Sequence, residues 1–340
     1  VRVLLVTDWN PGRGGTEAYV SCVRDGLRAA GDEVRLLVSG AGTAADGRAD
    51  AVAFGTRRRS LQSVLQVANP SAAAAARREL RHHPPDVAWI HSFAYHLSPA
   101  VVLALGSLPI VLSVSDYKCV CPTGTKLLPG GELCTEPAGR VCVERGCLGR
   151  AHWLRDRVRY AAIAAALRRA DRVLAVSAAV QHELARVGIG SEILGPPVPA
   201  PGGAYRRAPA REPRLVTCGR LAREKGVELV VGAFARVRAE RPAARLRIVG
   251  DGEARPALER LAAAHGVADA VTFTGWLTPE GVERELAAAW ALVLPSLWAE
   301  PFGLVALEAA VRGVPVVASA AGGPGEIVEH GVTGLLFPRG

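Results

Sequence analysis

Apolar residues fall along this chain in short unbroken runs, and the stretches between them repeat their apolar positions at helical spacing. Residues 1–7 (VRVLLVT), 34–38, 86–90 (DVAWI) and 110–114 are such runs, the pattern of strands buried on both faces of a parallel sheet. A helix is predicted over 16–30 with Gly31 as its stop, and a basic amphipathic one from Arg57-Arg58-Arg59 that breaks near Pro70. Residues 40–85 otherwise give the weakest pattern. An Ala- and Arg-rich helix is expected over 150–172, a strand over 173–176 ending at Ser177, and a further short helix and strand up to Gly195. The periodicity then lapses in PPVPAPGGAYRRAPAREP, which reads as a linker. Beyond it the alternation restarts, with strands at 215–218, 245–249, 271–273, 291–294 and 316–318. Helices are expected after Gly226 to about 239, over 254–265 and 279–289, and before a stop at Gly313 and Pro315. Strand–helix alternation in both halves predicts the α/β class. It implies two Rossmann-like doubly wound domains, 1–194 and 214–340, joined by a linker at 195–213.

The 340 residues suffice for two sizeable cores. Hydrophobic residues make up 49 % of the chain, but charges interrupt every long apolar run, so no membrane-spanning helix is predicted. The first residues read as a strand rather than a secretory leader, and a cytoplasmic location is expected. The chain lacks methionine, starts at Val1 and stops at Gly340 in a turn-like context. An alternative or truncated start and missing C-terminal material are therefore expected. Residues 1–205 carry 24 Lys and Arg against 17 Asp and Glu, whereas 206–340 carry 17 against 15. A basic first half suits an acidic substrate or an anionic membrane surface, so peripheral contact with the inner face of the membrane is expected. Few aromatics accompany the basic runs, and nucleic acid is not expected as a partner.

Candidate chemistry gathers where the predicted strands end. In PSLWAEPFGLVALEAAVRGVP (295–315), Glu300 and Glu308 are separated by seven residues, and Phe302, Gly303 and Leu304 fall at a helix start, where amides lack partners. Were the segment helical throughout, the glutamates would stand about 12 Å apart, room for an extended ligand with a phosphate at its middle. An ordinary helix with one solvated glutamate fits the stretch as well. Gly219-Arg220-Leu221-Ala222-Arg223-Glu224-Lys225-Gly226 leaves another strand end and places Arg220 and Lys225 where cations would neutralise a diphosphate. Gly250-Asp251-Gly252 ends the next strand, and Gly322-Gly323 precedes a short helix bearing Glu326. In the first half, Pro11-Gly12-Arg13-Gly14-Gly15 opens a helix; it lacks the dinucleotide spacing but permits close backbone approach to a ligand. His91 closes DVAWI, either at a site or as a structural hydrogen-bonder, and Asp116 lies just past the following strand. Taken together, these features favour a nucleoside diphosphate site.

Residues 117–149 differ in character, crowding Cys119, Cys121, Cys134, Cys142 and Cys147 into a Gly/Pro-rich loop. Cys121, Cys134, Cys142 and Cys147 can supply four thiolates to a structural zinc that staples a loop without a core. The spacing is not that of paired C-x-x-C ribbons, and free thiols or a redox role stay open.

Two such domains with GRLAREKG, VGDGE, VTFTGWL, the E-x7-E of Glu300 and Glu308, the GGTE of 14–17 and His91 in DVAWIHS resemble the retaining glycosyltransferases of family 4 across the whole chain. The resemblance implies a GT-B fold, two Rossmann-like domains facing a central cleft, with the family's C-terminal crossover helix absent after Gly340. It implies transfer of a hexose from a nucleoside diphosphate sugar (a UDP- or GDP-sugar) to a hydroxyl acceptor with retention of configuration. That acceptor would be a saccharide, a lipid-linked sugar or a small molecule. By the family pattern Arg220 and Lys225 would hold the diphosphate, Glu300 the donor-sugar hydroxyls and Glu308 the ribose. The amides of Phe302, Gly303 and Leu304 would meet sugar and phosphates, Gly14 and Gly15 would approach the phosphate, with Gly219 and Gly250 lining the nucleotide. His91 would sit beside the transferred sugar. With two cations in place no divalent metal or other cofactor is required for catalysis. Relatives with this cysteine-bearing loop often read HDY where this chain has Ser115-Asp116-Tyr117, so a histidine role there is lost. A nucleotide-sugar epimerase and a catalytically silent GT-B binding subunit are the alternatives; a nicotinamide dehydrogenase lacks its fingerprint in both halves.

Overall fold

The apolar runs pair into two parallel sheets, one in each of the two units Val1–Pro197 and Val198–Gly340 of the computed structural model, which describes residues 1–8, 15–41, 49–198 and 207–340. The first sheet holds β1 (Arg2–Thr7), β2 (Glu33–Ser39), β3 (Ala51–Ala53), β4 (Val87–Ile90), β5 (Ile110–Val114), β6 (Arg172–Ala175) and β7 (Glu192–Ile193). Their order is β3-β2-β1-β4-β5-β6-β7. Strand β1 is central, which accounts for its unbroken apolar run: Leu5 and Val6 are completely buried. Around the sheet lie α1 (Gly15–Ala29), α2 (Arg59–Leu65), α3 (Pro70–His82), α4 (Pro99–Leu103), α5 (Val141–Glu144), α6 (Arg150–Arg169) and α7 (Ala178–Ala185).

Helix α3 falls in the stretch that sequence reading found weakest. Its start is well specified, with Pro70 at the first turn and the Asn69 side chain accepting from the Ala72 amide. Its buried face consists of Ala72, Ala73 and Ala76 with Glu79, and small residues leave little periodic signal. The buried Glu79 carboxylate takes an ion pair from Arg35 at 2.6 Å.

The second sheet holds β8 (Arg214–Cys218), β9 (Arg245–Val249), β10 (Val271–Gly275), β11 (Ala291–Leu294), β12 (Val316–Ser319) and β13 (Gly334–Phe337), in the order β10-β9-β8-β11-β12-β13. Its helices are α8 (Val227–Glu240), α9 (Arg255–Ala264), α10 (Pro279–Ala288), α11 (Leu304–Ala310) and α12 (Pro324–Ile327). One core cluster joins Val227, Val231 and Phe234 of α8 to Leu246 and Ile248 of β9; another joins Leu292, Val316 and Ala318 to Ala306 and Ala309 of α11. Residues 207–210, within the stretch read as linker, are tied to this unit, since the amides of Ala208 and Ala210 donate to carbonyls at the end of α10.

Each sheet reverses its winding at one place, between β1 and β4 in the first and between β8 and β11 in the second. Loops leaving the carboxyl ends of two such strands diverge and open a crevice, the usual ligand position in open α/β sheets. No described helix is long and apolar enough to cross a membrane.

Candidate active site

In the second unit the loops that leave the reversal point are locked to one another. After β8 the chain turns through Gly219, whose amide donates to Val249 at 2.9 Å, and Leu221 donates to Asp251 at 2.9 Å. The backbones approach so closely that a Cβ on Gly250 would lie 1.9 Å from the Gly219 carbonyl oxygen, a clash no side chain survives. Gly226 takes the left-handed conformation (φ 63°), and a Cβ there would meet the Pro295 carbonyl oxygen at 2.3 Å. The loop after β11 is thereby pressed against the loop after β8, and the Leu297 amide donates to Glu224 at 2.9 Å.

This contact brings Lys225 and Glu300 together. Lys225 Nζ donates to both carboxylate oxygens of Glu300, at 2.7 and 2.9 Å, and lies 5.1 Å from the centre of the Trp298 ring. Glu300 also accepts from Ser296 Oγ and Trp298 Nε1, each at 2.8 Å. Burial alone would push the Glu300 carboxyl up, but the Lys225 charge and the hydrogen bonds from Lys225, Ser296 and Trp298 hold it below the ordinary carboxylate value. Glu300 is therefore an ionised carboxylate with its charge already matched.

The helix expected to carry both glutamates is shorter than its sequence suggested. α11 begins at Leu304, and Glu300 lies in the loop before it, paired by a backbone bridge with Gly322. The axial separation inferred for a continuous helix therefore does not apply: Pro301 and the left-handed Gly303 (φ 85°) keep that loop out of the helix. The amides of Phe302, Gly303 and Leu304 find no acceptor among the described residues. Glu308 sits within α11 and its carboxylate has no hydrogen bond there either; burial pushes it up, with Arg312 acting weakly against that. Cys218, at the end of β8, feels the Glu308 charge, and burial first, then Glu308, push its thiol up to about 12. Arg220 is half-exposed and ion-paired with Glu224 of the same turn, not with Glu300.

The first unit shows the same construction. Asp8, directly after β1, is completely buried and collects four hydrogen bonds from the segment after β4: from Ser92 Oγ and the amides of Tyr95, His96 and Leu97, at 2.7–2.9 Å. The sequence reading did not single it out, although an acid closing an apolar strand run is a visible signal. His91 leads into this segment. Its ring stacks on Trp89 and meets the Tyr19 ring edge-on at 4.7 Å. Neither ring nitrogen has a partner among the described residues, and burial lowers its pKa to about 3. A small cavity joins His91 to Tyr95, Ser113 and Asp116, where the Tyr95 hydroxyl donates to Asp116 at 2.7 Å. Burial raises the Asp116 carboxyl despite that bond. Gly15 is the first residue of α1; Gly14 lies outside the described residues.

Residues 14–194 match the family model of a glycosyl transferase 4-like domain, and residues 206–340 that of the glycosyl transferases group 1. The chain belongs to the family 4-type group 1 glycosyltransferases. Among its relatives, the GDP-mannose-dependent alpha-(1-6)-phosphatidylinositol monomannoside mannosyltransferase of Mycobacterium tuberculosis is 29 % identical over 346 residues, covering 98 % of this chain and 84 % of that protein. The alpha-D-kanosaminyltransferase of Streptomyces kanamyceticus is 37 % identical over 140 residues, 39 % of this chain and 36 % of the relative. An uncharacterized glycosyltransferase of Methanocaldococcus jannaschii is 39 % identical over 129 residues, 38 % and 33 % respectively. The matched stretch thus spans about a third of the length of these last two relatives. The glycosyltransferase fold is seen in sucrose-phosphate synthase from Thermosynechococcus elongatus (TM-score 0.71, 22 % identity, covering 99 % of this chain and 86 % of that one). It is seen again in HepE from Anabaena in complex with UDP and glucose (TM-score 0.68, 22 % identity, 99 % and 85 %). The fold is thus the GT-B type, two Rossmann-like domains with sheets of seven and six parallel strands.

Proposed function

We propose that this chain transfers a hexose from a nucleoside diphosphate sugar to a hydroxyl acceptor, with retention of configuration and without a divalent metal. The observation that carries the reading is the Lys225–Glu300 pair at the β8/β11 reversal, bordered by the unaccepted amides of Phe302, Gly303 and Leu304. An ammonium has three N–H donors; Glu300 takes two and leaves one for a phosphate oxygen. The half-exposed Arg220 would swing from Glu224 onto the same diphosphate. In the reaction the bond from the anomeric carbon to the diphosphate oxygen breaks, and its electron pair goes to the diphosphate. The acceptor oxygen bonds to that carbon, and its proton passes to the leaving group. Preorganised donors at the diphosphate stabilise the charge that develops there. Glu308, whose carboxylate is unengaged, is the acceptor for ribose hydroxyls, and Glu300 for those of the donor sugar. In the first unit, His91 and the Asp116 cavity border the sugar acceptor.

The test is a thermal-shift and transfer screen over UDP- and GDP-sugars, with a chelator present. Transfer from one donor class, lost in Arg220→Ala and in Lys225→Ala, is expected; full activity in either variant would sink the assignment. The mycobacterial relative, by its name, glycosylates a phosphatidylinositol mannoside. With Leu61 and Val64 exposed on α2 behind Arg58 and Arg59, this supports a lipid-linked acceptor met at an anionic membrane surface. Sedimentation with vesicles checks it: binding to anionic vesicles and not neutral ones is expected, and equal non-binding to both counts against it.

A further inference from the structure

Between β5 and α6 the chain spends residues 117–149 on a segment with almost no regular structure. It contains the four-residue α5 and an isolated backbone bridge between Leu127 and Leu133. Four of its cysteines come from separate parts of that segment, yet Cys121, Cys134, Cys142 and Cys147 all line one small cavity. Cys119 points elsewhere, into the cavity that holds His91 and Asp116. The geometry thus divides five neighbouring cysteines into one set of four and one outsider.

We propose that these four thiolates bind one zinc ion that staples the loop. As they stand, no three His, Cys, Asp or Glu side chains among the described residues form a ready-made metal-binding group. Two sulfurs are engaged elsewhere: Cys121 Sγ shares a hydrogen bond with Thr123 Oγ1 at 3.1 Å, and Cys134 Sγ donates to the Glu136 carbonyl at 3.7 Å. Binding would require these two side chains to give up those bonds and turn their sulfurs into the shared cavity. Zinc–sulfur bonds of about 2.3 Å in a tetrahedron would hold the sulfurs about 3.8 Å apart. Each thiol gives its proton to solvent as its sulfur binds, so the closed site carries two net negative charges. The loop also buries one cation, itself already paired with an acid. Lys126 is buried in an unusual positive-φ conformation (φ 52°), with Nζ bonded to the Glu136 carbonyl at 2.7 Å and to Glu183 of α7 at 2.7 Å. The loop's backbone is fixed to its frame by the same residues, since the Cys134 amide donates to the Lys126 carbonyl at 2.7 Å. A metal here supplies the cross-links that this stretch, short of apolar residues, cannot obtain from a core.

The inference stands apart from the glycosyltransferase reading, because its test does not read activity. The full chain, purified without metal-affinity resin or chelator, is expected to contain one zinc per molecule by elemental analysis. A mercurial thiol reagent should release that zinc while unmasking four thiols. Cobalt substitution should give the intense visible bands of a tetrahedral thiolate site, independent of whether any variant folds. Cys134→Ser and Cys147→Ser, the two less buried ligands, should each lower zinc content at least severalfold, whereas Cys119→Ser and Cys22→Ser should retain it. Substoichiometric zinc with seven titratable thiols, iron in its place, or a disulfide within the set of four would each overturn the proposal.

Discussion

Glu300 and Glu308 share a motif, and the fold treats them oppositely. Glu300 is buried and Glu308 partly so, and in both cases burial opposes the charge. Glu300 receives an ammonium, a hydroxyl and an indole N–H, and stays ionised below the usual carboxylate range. Glu308 receives no hydrogen bond to its carboxylate among the described residues and is pushed upward. The difference arises in the loops rather than in the helix. Glu300 belongs to a segment clamped between the turns after β8 and β12, while Glu308 projects from α11 near Arg312 and Cys218. Glu300 holds Lys225 in place, and its Oε1, which accepts from Lys225 alone among the described residues, keeps a lone pair for a donor-sugar hydroxyl. A carboxylate without partners is where a ligand's hydroxyls gain most by hydrogen bonding.

The largest effect should follow from removing the cation. Lys225→Ala is expected to lower transfer by about two to three orders of magnitude, the usual consequence of losing a preorganised donor to developing charge. It should also destabilise the second unit by about 3–5 kcal/mol, because a buried carboxylate is left unpaired. The double variant Lys225→Met with Glu300→Gln separates the two losses. Denaturant melts should show stability largely regained while transfer stays lost. If stability is not regained, Glu300 and Lys225 are not the coupled pair the geometry indicates. Acidification supplies a sign. Glu300 has a depressed folded pKa, so its pairing is worth its full amount above the unfolded value near 4.5 and fades as pH falls through the folded one. The stability gap between wild type and Lys225→Ala should therefore narrow below about pH 4.5.

A smaller effect is expected at Gly322, which holds Glu300 from the other side. A Cβ there would lie 2.2 Å from the Glu300 carbonyl oxygen, and the residue has φ 81°. Gly322→Ala should cost about 1–3 kcal/mol of stability. It should weaken donor binding without touching any side chain of the site, which a melt and a binding titration would read together.

Glu308 should behave the other way. Its folded pKa is raised, so the folded state binds the proton more tightly than the unfolded state does. Stability then falls as pH rises between the unfolded value and the raised one, and the penalty is complete above both. Glu308→Gln is accordingly expected to leave stability unchanged or slightly higher at pH 7. It should weaken nucleoside diphosphate binding about tenfold, the scale of one charged hydrogen bond of about 1.5 kcal/mol. A variant that melts earlier and binds normally would reverse the roles assigned to the two glutamates.

How much of this contrast the sequence carried is instructive. The apolar runs placed β1, β4, β5 and β11 within a residue or so, because strands inside parallel sheets are apolar on both faces. β3 and β13 went unpredicted, being short with exposed positions, and α3 hid behind an alanine face. The motif at 295–315 put both glutamates in view, and the one at 219–226 put Lys225 in view. That Glu300 would leave the helix and take Lys225 as partner depended on the register of β8 against β11 and on backbone approaches at Gly226 and Gly322, contacts between stretches far apart in the chain. Asp8 went unread for the same reason, since its four hydrogen bonds come from residues 92–97. The four cysteines read as a set line one small cavity, but no three of them form a metal-binding group as they stand.

His91 extends the comparison to a base, and to the smallest expected effect at neutral pH. It is buried and, like the partly buried Glu308, its side chain has no hydrogen-bond partner among the described residues, so its charged form is disfavoured and its pKa falls to about 3. Between that value and the unfolded 6.5 the unfolded chain binds the proton that the folded chain refuses, so stability should drop on acidification with a slope of at most about 1.4 kcal/mol per pH unit. Above pH 6.5 both states are neutral, and the contribution levels off. Replacing the ring with one that cannot titrate, His91→Phe, should therefore leave stability near pH 7 within about 1 kcal/mol of wild type, allowing for repacking against Trp89 and Tyr19. The same variant should flatten the decline between pH 6 and pH 4, and the transfer rate of the wild type should show no acid limb belonging to an imidazole near 6.5. Melts at pH 7 and pH 4.5 are enough to decide. An unchanged acid sensitivity in His91→Phe would mean that this ring finds a proton acceptor on folding, and burial without a partner would then describe Glu308 alone.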